Sequence, residues 1–289
     1  MLTRQSEQGT EQIMSVATSS SVAQLRSESN DVQGREFVIL APMSCENTGD
    51  LGAVAADTDL HGKLLAGVQR LRGRIYSEDG ALDATKLTVD GRHEQAIDRE
   101  SWHIIALGPD GTVQGCLRYS PYSRDAEFNQ LVAAGSALAK SDSRLRTAVQ
   151  NEMGKARTKQ VGFAEVGGWA LSPTLRSSTA ALDMLLLAFA LLERLGSSLG
   201  ICTATKRHGS ASILQRVGLR SLEVEGVELP SYYDPQYQCE MEILRFDSSN
   251  PNPKYSNRLR NFQAQLSNIR VFCAGKKPAT VQATFAMAA

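Results

Sequence analysis

Apolar positions along the chain recur with two periods. Short apolar or alternating runs at Phe37-Val-Ile-Leu-Ala, Trp102 to Leu107, Val113 to Tyr119, Phe163 to Leu171, Leu199 to Ala204 and Gln238 to Phe246 predict strands. Leu64, Leu65, Val68, Leu71 and Ile75 follow helical spacing and predict a helix over Leu60 to Tyr76. Further helices are predicted over Ala126 to Lys140, Ser143 to Lys159, Thr179 to Leu195 and Ser210 to Val217, the last two stopped by Gly196 and Gly218. The segment Thr179 to Leu195 is apolar almost all round, so it is expected to be buried against something large.

Between Leu107 and Val113, Gly108-Pro-Asp-Gly111 has strong turn chemistry and predicts a hairpin. The hairpin precedes strand–helix–strand units. The fold class expected is therefore α/β, with a mixed, mostly antiparallel central sheet and helices on both faces. Residues 1–34 are polar and read as a flexible, dispensable tail. A domain is expected over 35–247. The Pro/Asn-rich stretch Asn250 to Tyr255 reads as a linker to a C-terminal extension over 248–289, with six basic and no acidic residues between Pro251 and Lys277.

Composition narrows the function classes. The 289 residues carry 31 basic and 31 acidic side chains, so no bulk charge points to nucleic acid or an anionic membrane. No signal peptide precedes the first strand, and the longest apolar run, Met184 to Leu192, is too short for a membrane span. A cytoplasmic protein is expected. The five cysteines are dispersed and form no C-x-x-C pair, which reads as small buried hydrophobes in a reduced compartment. His61, His93, His103 and His208 have no metal spacing, and no metal is expected. Walker, dinucleotide and G-x-S-x-G patterns are absent.

Candidate chemistry gathers at Trp169-Ala-Leu-Ser-Pro-Thr-Leu-Arg-Ser-Ser-Thr-Ala-Ala. A strand ends at a proline, small residues follow, and a buried helix begins. The first N–H groups of that helix lack intrahelical partners and, with the helix dipole, form an anion site. Arg176 adds a charge-assisted contact. The alternative is an ordinary helix start capped by Ser177 or Ser178. Glu165, entering the same strand, is either a proton acceptor or a structural acid. Paired Gly167 and Gly168 suggest a bulge or a close backbone approach. Tyr232 and Tyr233 precede the last strand and are candidates for a general acid or for loop packing.

Arg176-Ser-Ser-Thr179-Ala-Ala181 resembles the coenzyme-binding motif of the Gcn5-related N-acetyltransferase superfamily, with Thr179 in place of the first glycine. Over roughly Leu60 to Phe246 the chain is similar to the autoinducer-synthase-like and N-acyl amino acid synthase branch. The similarity rests on Leu71-Arg-Gly-Arg-Ile-Tyr76, on Asp98 to Tyr119, on Glu165-Val-Gly-Gly-Trp-Ala-Leu-Ser-Pro and on Tyr237 to Phe246. Gly167 and Gly168 replace the Ser and Arg of that branch's Glu-x-Ser-Arg, which argues against homoserine-lactone synthesis.

The resemblance implies an N-acyltransferase that moves an acyl group, a long one favoured, from acyl-CoA or acyl carrier protein to a small-molecule amine such as an amino acid. No permanently bound cofactor is implied. Glu165, Gly168 and Tyr233 would be catalytic. Trp169, Leu171, Arg176, Ser177, Ser178, Thr179, Ala180 and Ala181 would bind the donor. The alternatives are an acetyl-CoA-dependent acetyltransferase and an inactive acyl- or CoA-binding regulatory module of the same fold.

Overall fold

A computed structural model describes residues 35–45, 51–176 and 178–275. The tail expected over 1–34, Ser177 and the last residues of the extension lie outside these. The elements in chain order are β1 (Glu36–Leu40), β2 (Val54–Ala56), α1 (Thr58–Glu78), β3 (Trp102–Leu107), β4 (Val113–Tyr122), α2 (Ala137–Ser141) and α3 (Arg144–Lys159). They continue with β5 (Gly162–Leu171), α4 (Pro173–Arg176), α5 (Ala180–Arg194), β6 (Ser198–Thr205), α6 (Ser210–Val217), β7 (Arg220–Ser221), β8 (Glu223–Val224), β9 (Val227–Glu228) and β10 (Tyr232–Asp234). Last come β11 (Cys239–Asp247), α7 (Ser256–Gln265) and β12 (Arg270–Cys273).

One large sheet runs β10-β11-β6-β5-β4-β3-β1-β12-β2, with β7 paired to β11. The pairs β5/β6, β1/β12 and β12/β2 are parallel and the others antiparallel. The fold is the mixed, mostly antiparallel α/β class read from the sequence. Alternation along the strands builds its two faces. Val38, Leu40, Ile105 and Cys116 pack beneath α1, while Ile39, Ile104, Leu117, Val166 and Cys202 meet α5 on the opposite face. A second cluster on the α1 side joins Phe163, Ile201 and Ile243 to Leu145 and Val149 of α3. The two clusters on that face stand apart, and the candidate site lies between them.

Two expectations need correction. Residues 126–140 do not form one helix but two 3-10 turns, Phe128–Gln130 and Val132–Gly135, followed by the single helical turn of α2. The N–H groups of Val132 and Ala133 bond the Glu165 carboxylate, so they cannot close the i→i−4 ladder that a continuous helix requires. The segment after residue 247 also returns into the sheet. β12 lies between β1 and β2, and Phe262 of α7 packs edge-on to Phe37 with ring centroids 6.3 Å apart. The stretch read as a linker holds α6: the N–H of Asn252 donates to the Val217 carbonyl at 2.8 Å.

Candidate active site

The parting of β5 and β6 creates the site. These parallel strands pair from Gly162/Ser198 to Val166/Cys202, and there their ladder stops. β5 continues to Leu171 against β4 alone, with a register shift between Cys116 and Arg118. Gly168 sits in that bulge at φ 59°, a backbone region that side-chain-bearing residues rarely adopt. A bulge bends its strand and increases the local twist, which carries β5 away from β6. The gap opens into a cavity of about 370 Å³ lined by both strand ends, the C-terminus of α1, the 132–136 turn and the β10–β11 hairpin.

Beneath Gly168 lies a buried ionic cluster. Arg72 of α1 donates to Asp98 Oδ1 at 2.8 Å and, through Nη2, to Asp98 Oδ2 and the His93 carbonyl. Arg118 of β4 donates through Nη1 to Asp98 Oδ1 at 2.7 Å and to Gln95 Oε1 at 2.5 Å. Two guanidiniums therefore share one carboxylate, with nearly all their surface buried. Burial alone would raise the Asp98 carboxyl. The bonds and charges of Arg72 and then Arg118 outweigh it and hold Asp98 well below the usual carboxylate range. A Cβ on Gly168 would stand 3.0 Å from Arg72 Nη1 and 3.2 Å from Arg118 Cβ, so the bulge rests directly on this cluster. Arg118 and Gln95 also line the cavity.

Glu165 lines the cavity as well, but its oxygens are largely occupied. Oε1 accepts from the Ala133 N–H at 2.8 Å, and Oε2 from the Val132 N–H at 2.6 Å and the Tyr122 hydroxyl. A carboxylate has about four acceptor positions, and three of these are filled. This geometry supports the structural reading of Glu165, which fastens the 132–135 turn to β5.

The tyrosine expectation is corrected by strand alternation. Along β10, Tyr232 and Asp234 point inward and line the cavity, while Tyr233 is 56% exposed and does not. The Tyr232 hydroxyl is enclosed beside Ser136, and burial and then the Asp234 charge push its pKa upward, so it holds its proton at neutral pH. Asp234 Oδ1 accepts from the N–H groups of Gln236 and Tyr237, the first at 2.8 Å. The sequence reading missed Asp234. Its signal was Asp234-Pro235, an Asx-turn start at the mouth of a hairpin. The Trp169 indole N–H is enclosed without a partner, and the Tyr76 hydroxyl donates to the Trp169 carbonyl at 3.2 Å.

Of the residues expected to bind a donor, Trp169, Leu171, Arg176 and Ala181 line the cavity. Ser178, Thr179 and Ala180 do not, each for a local reason. Ser178 Oγ accepts from the Ala180 N–H at 3.2 Å and donates to the Leu175 carbonyl, as a cap does. The Thr179 hydroxyl donates to Asp183 Oδ2 at 2.8 Å, and Ala180 is fully buried. Asp183, in the first turn of α5 where the helix dipole favours an acid, meets Arg258 of α7 at 2.5 Å. Arg176 itself pairs with Asp79 at 2.8 Å.

Several chemistries find no support among the described residues. No group of three or more His, Cys, Asp or Glu side chains stands together as a metal site would require, and no helix is long and apolar enough to cross a membrane. Burial pushes Cys116 up to about 11 and Cys202 up to about 12, so neither is a thiolate nucleophile at neutral pH.

No protein-family model and no curated protein matches the sequence. Solved structures do. The CoA-dependent acyl-homoserine lactone synthase BjaI with MTA superposes with TM-score 0.51 at 11% identity, over 85% of this chain and 96% of that one. BjaI with SAM and isopentyl-CoA gives 0.51 at 12% over the same shares. FeeM, an N-acyl amino acid synthase from uncultured soil microbes, gives 0.42 at 14%, over 65% of this chain and 87% of that one. The chain has the fold of BjaI, as the sequence resemblance led one to expect.

Proposed function

We propose that this protein is an N-acyltransferase that moves an acyl group from a thioester, acyl-CoA or acyl carrier protein, to a small-molecule amine. The observation that carries the reading is the parting of β5 from β6 at Val166/Cys202, with a glycine bulge and a cavity in the gap. A thioester arm lying in that gap would face main chain that has lost its strand partner. Backbone N–H groups at Gly168 and Trp169 then serve as oxyanion donors, supported from below by the excess positive charge of Arg72 and Arg118 over Asp98. The fold shared with BjaI, whose described complex holds SAM and isopentyl-CoA, agrees with this use of the gap.

In this reading the acceptor nitrogen attacks the thioester carbonyl, a C–N bond forms, and the C–S bond breaks. Asp79 is paired with Arg176 and Glu165 is occupied by three donors, so among the cavity's described carboxylates Asp234 has the oxygen best placed to take the amine proton. The Tyr232 hydroxyl gives a proton to the departing thiolate and regains one from the protonated Asp234, which restores both groups. Arg176, with the main chain around Ala181, receives the phosphate end of the donor. Incubating the protein with an acyl-CoA series and pooled amines, with mass-spectrometric detection of products, tests the proposal. An N-acyl product together with a rise in melting temperature on adding CoA is expected. Neither product nor stabilisation with any donor, carrier-bound acyl groups included, would overturn it.

A further inference from the structure

The two guanidiniums at the donor end of the cavity, Arg176 and Arg207, are both bonded to one residue. Arg176 Nη2 donates to Asp79 Oδ2 at 2.8 Å, and Arg207 Nη1 donates to the Asp79 main-chain carbonyl. Arg207 Nη2 reaches the Gln238 carbonyl at 2.6 Å, tying the same group to the β10–β11 hairpin. Asp79 is the C-cap of α1, a 21-residue helix whose C-terminus carries the negative pole of its dipole. An acid is disfavoured at that position unless cations meet it, and here two do. The carboxylate and the helix end therefore offer the arginines what a diphosphate offers: a cluster of anionic and carbonyl oxygens beside the cavity.

We infer that Asp79 is a built-in competitor for the donor's diphosphate and sets the donor affinity of the site. The inference rests on the donor-site reading above. A diphosphate that bonds Arg176 must first part Arg176 from Asp79, and a remaining carboxylate repels it. The two side chains are 35% and 19% exposed, so the pair is screened and opens readily. Its effect is a several-fold reduction in apparent affinity, because only the opened fraction is competent to bind. Asp79→Asn keeps the shape and the main-chain carbonyl that caps with Arg207, and removes the charge.

Calorimetric titration of the full chain with CoA and, separately, with phosphate-free pantetheine tests this. Asp79→Asn is expected to tighten CoA by roughly fivefold, about 1 kcal/mol, and to leave pantetheine unchanged. Asp79→Ser serves as a second variant, and the melting curve of each checks its folding. CoA binding that is unchanged or weaker in both folded variants, with wild-type binding intact, overturns the competitor and leaves the donor site standing. Equal tightening of CoA and pantetheine also overturns it, because the effect would then not act on phosphate. No CoA binding in wild type or either variant removes the donor-site reading and the competitor with it.

Discussion

His103 and His93 sit against the buried ionic cluster as neutral rings. His103 Nε2 lies 2.8 Å from the Asp98 carbonyl, and burial lowers its pKa to about 4. His93 is lowered to about 4 by burial and then by the Arg72 charge. The unfolded chain protonates such rings near pH 6.5, so below that value it binds protons that the folded chain refuses. The contribution of these rings is therefore constant above about pH 7, and stability falls as pH drops from about 6.5 toward 4. Urea unfolding at pH 7 and pH 5 is expected to differ by about 2–4 kcal/mol, and His103→Gln should remove roughly half of that difference. Equal stability at the two pH values would contradict the neutral buried rings. At the same scale, Glu165 and Asp234 separate by the kind of loss they cause. Glu165→Gln replaces an acceptor of three hydrogen bonds with a group that carries an N–H₂, and should cost about 1–3 kcal/mol of stability. Asp234→Asn should lower kcat by at least about tenfold with a smaller loss of stability and unchanged CoA binding. A kcat loss confined to Glu165→Gln would return the proton acceptor to Glu165.

β5 shows how a single element carries both fold and site. Its first half pairs on both sides and its second half on one, with Gly168 at the change. Gly168→Ala forces a side chain into positive φ and sets it 3.0 Å from a buried guanidinium. A cost of about 1–3 kcal/mol is expected, with a larger loss of kcat than of CoA affinity because the oxyanion donors move with the bulge. Circular-dichroism melts with steady-state kinetics measure both, and full activity in that variant would remove the bulge from the chemistry. Paired glycines inside an apolar run make the bulge legible in the sequence. Nothing local makes the break in residues 126–140 legible, because the carboxylate that breaks that helix belongs to Glu165, on another element.

At the scale of the molecule the C-terminal segment completes the sheet. Leu259, Phe262, Leu266, Ile269, Val271 and Phe272 are buried, and at about 1.5–3 kcal/mol each they contribute about as much as the whole net stability of a typical domain. A chain ending at residue 249 is expected not to fold, which near-ultraviolet circular dichroism and hydrogen exchange would report. Phe262→Ala should fold with a loss of about 3–5 kcal/mol. A truncated chain with native spectra and native CoA binding would mean that the extension is an accessory.

Sequence alone determined the elements whose periodicity is local: β3, β5, α5, α6 and the hairpin of β3 and β4 stand within a residue or so of the runs that predicted them, except that β4 runs on to Tyr122. It also singled out Trp169, Leu171, Arg176 and Ala181, which line the cavity, since a proline, small residues and a buried helix are adjacent in the chain. Tertiary structure decided the rest. The return of β12 between β1 and β2, the occupation of Glu165, the inward turn of Tyr232 and Asp234 and the grip of Asp79 on Arg176 each join residues far apart in the chain or depend on which face of a strand is covered. Such contacts are set by which surfaces meet when the core closes, and a local pattern of apolar and polar residues carries no record of its distant partner.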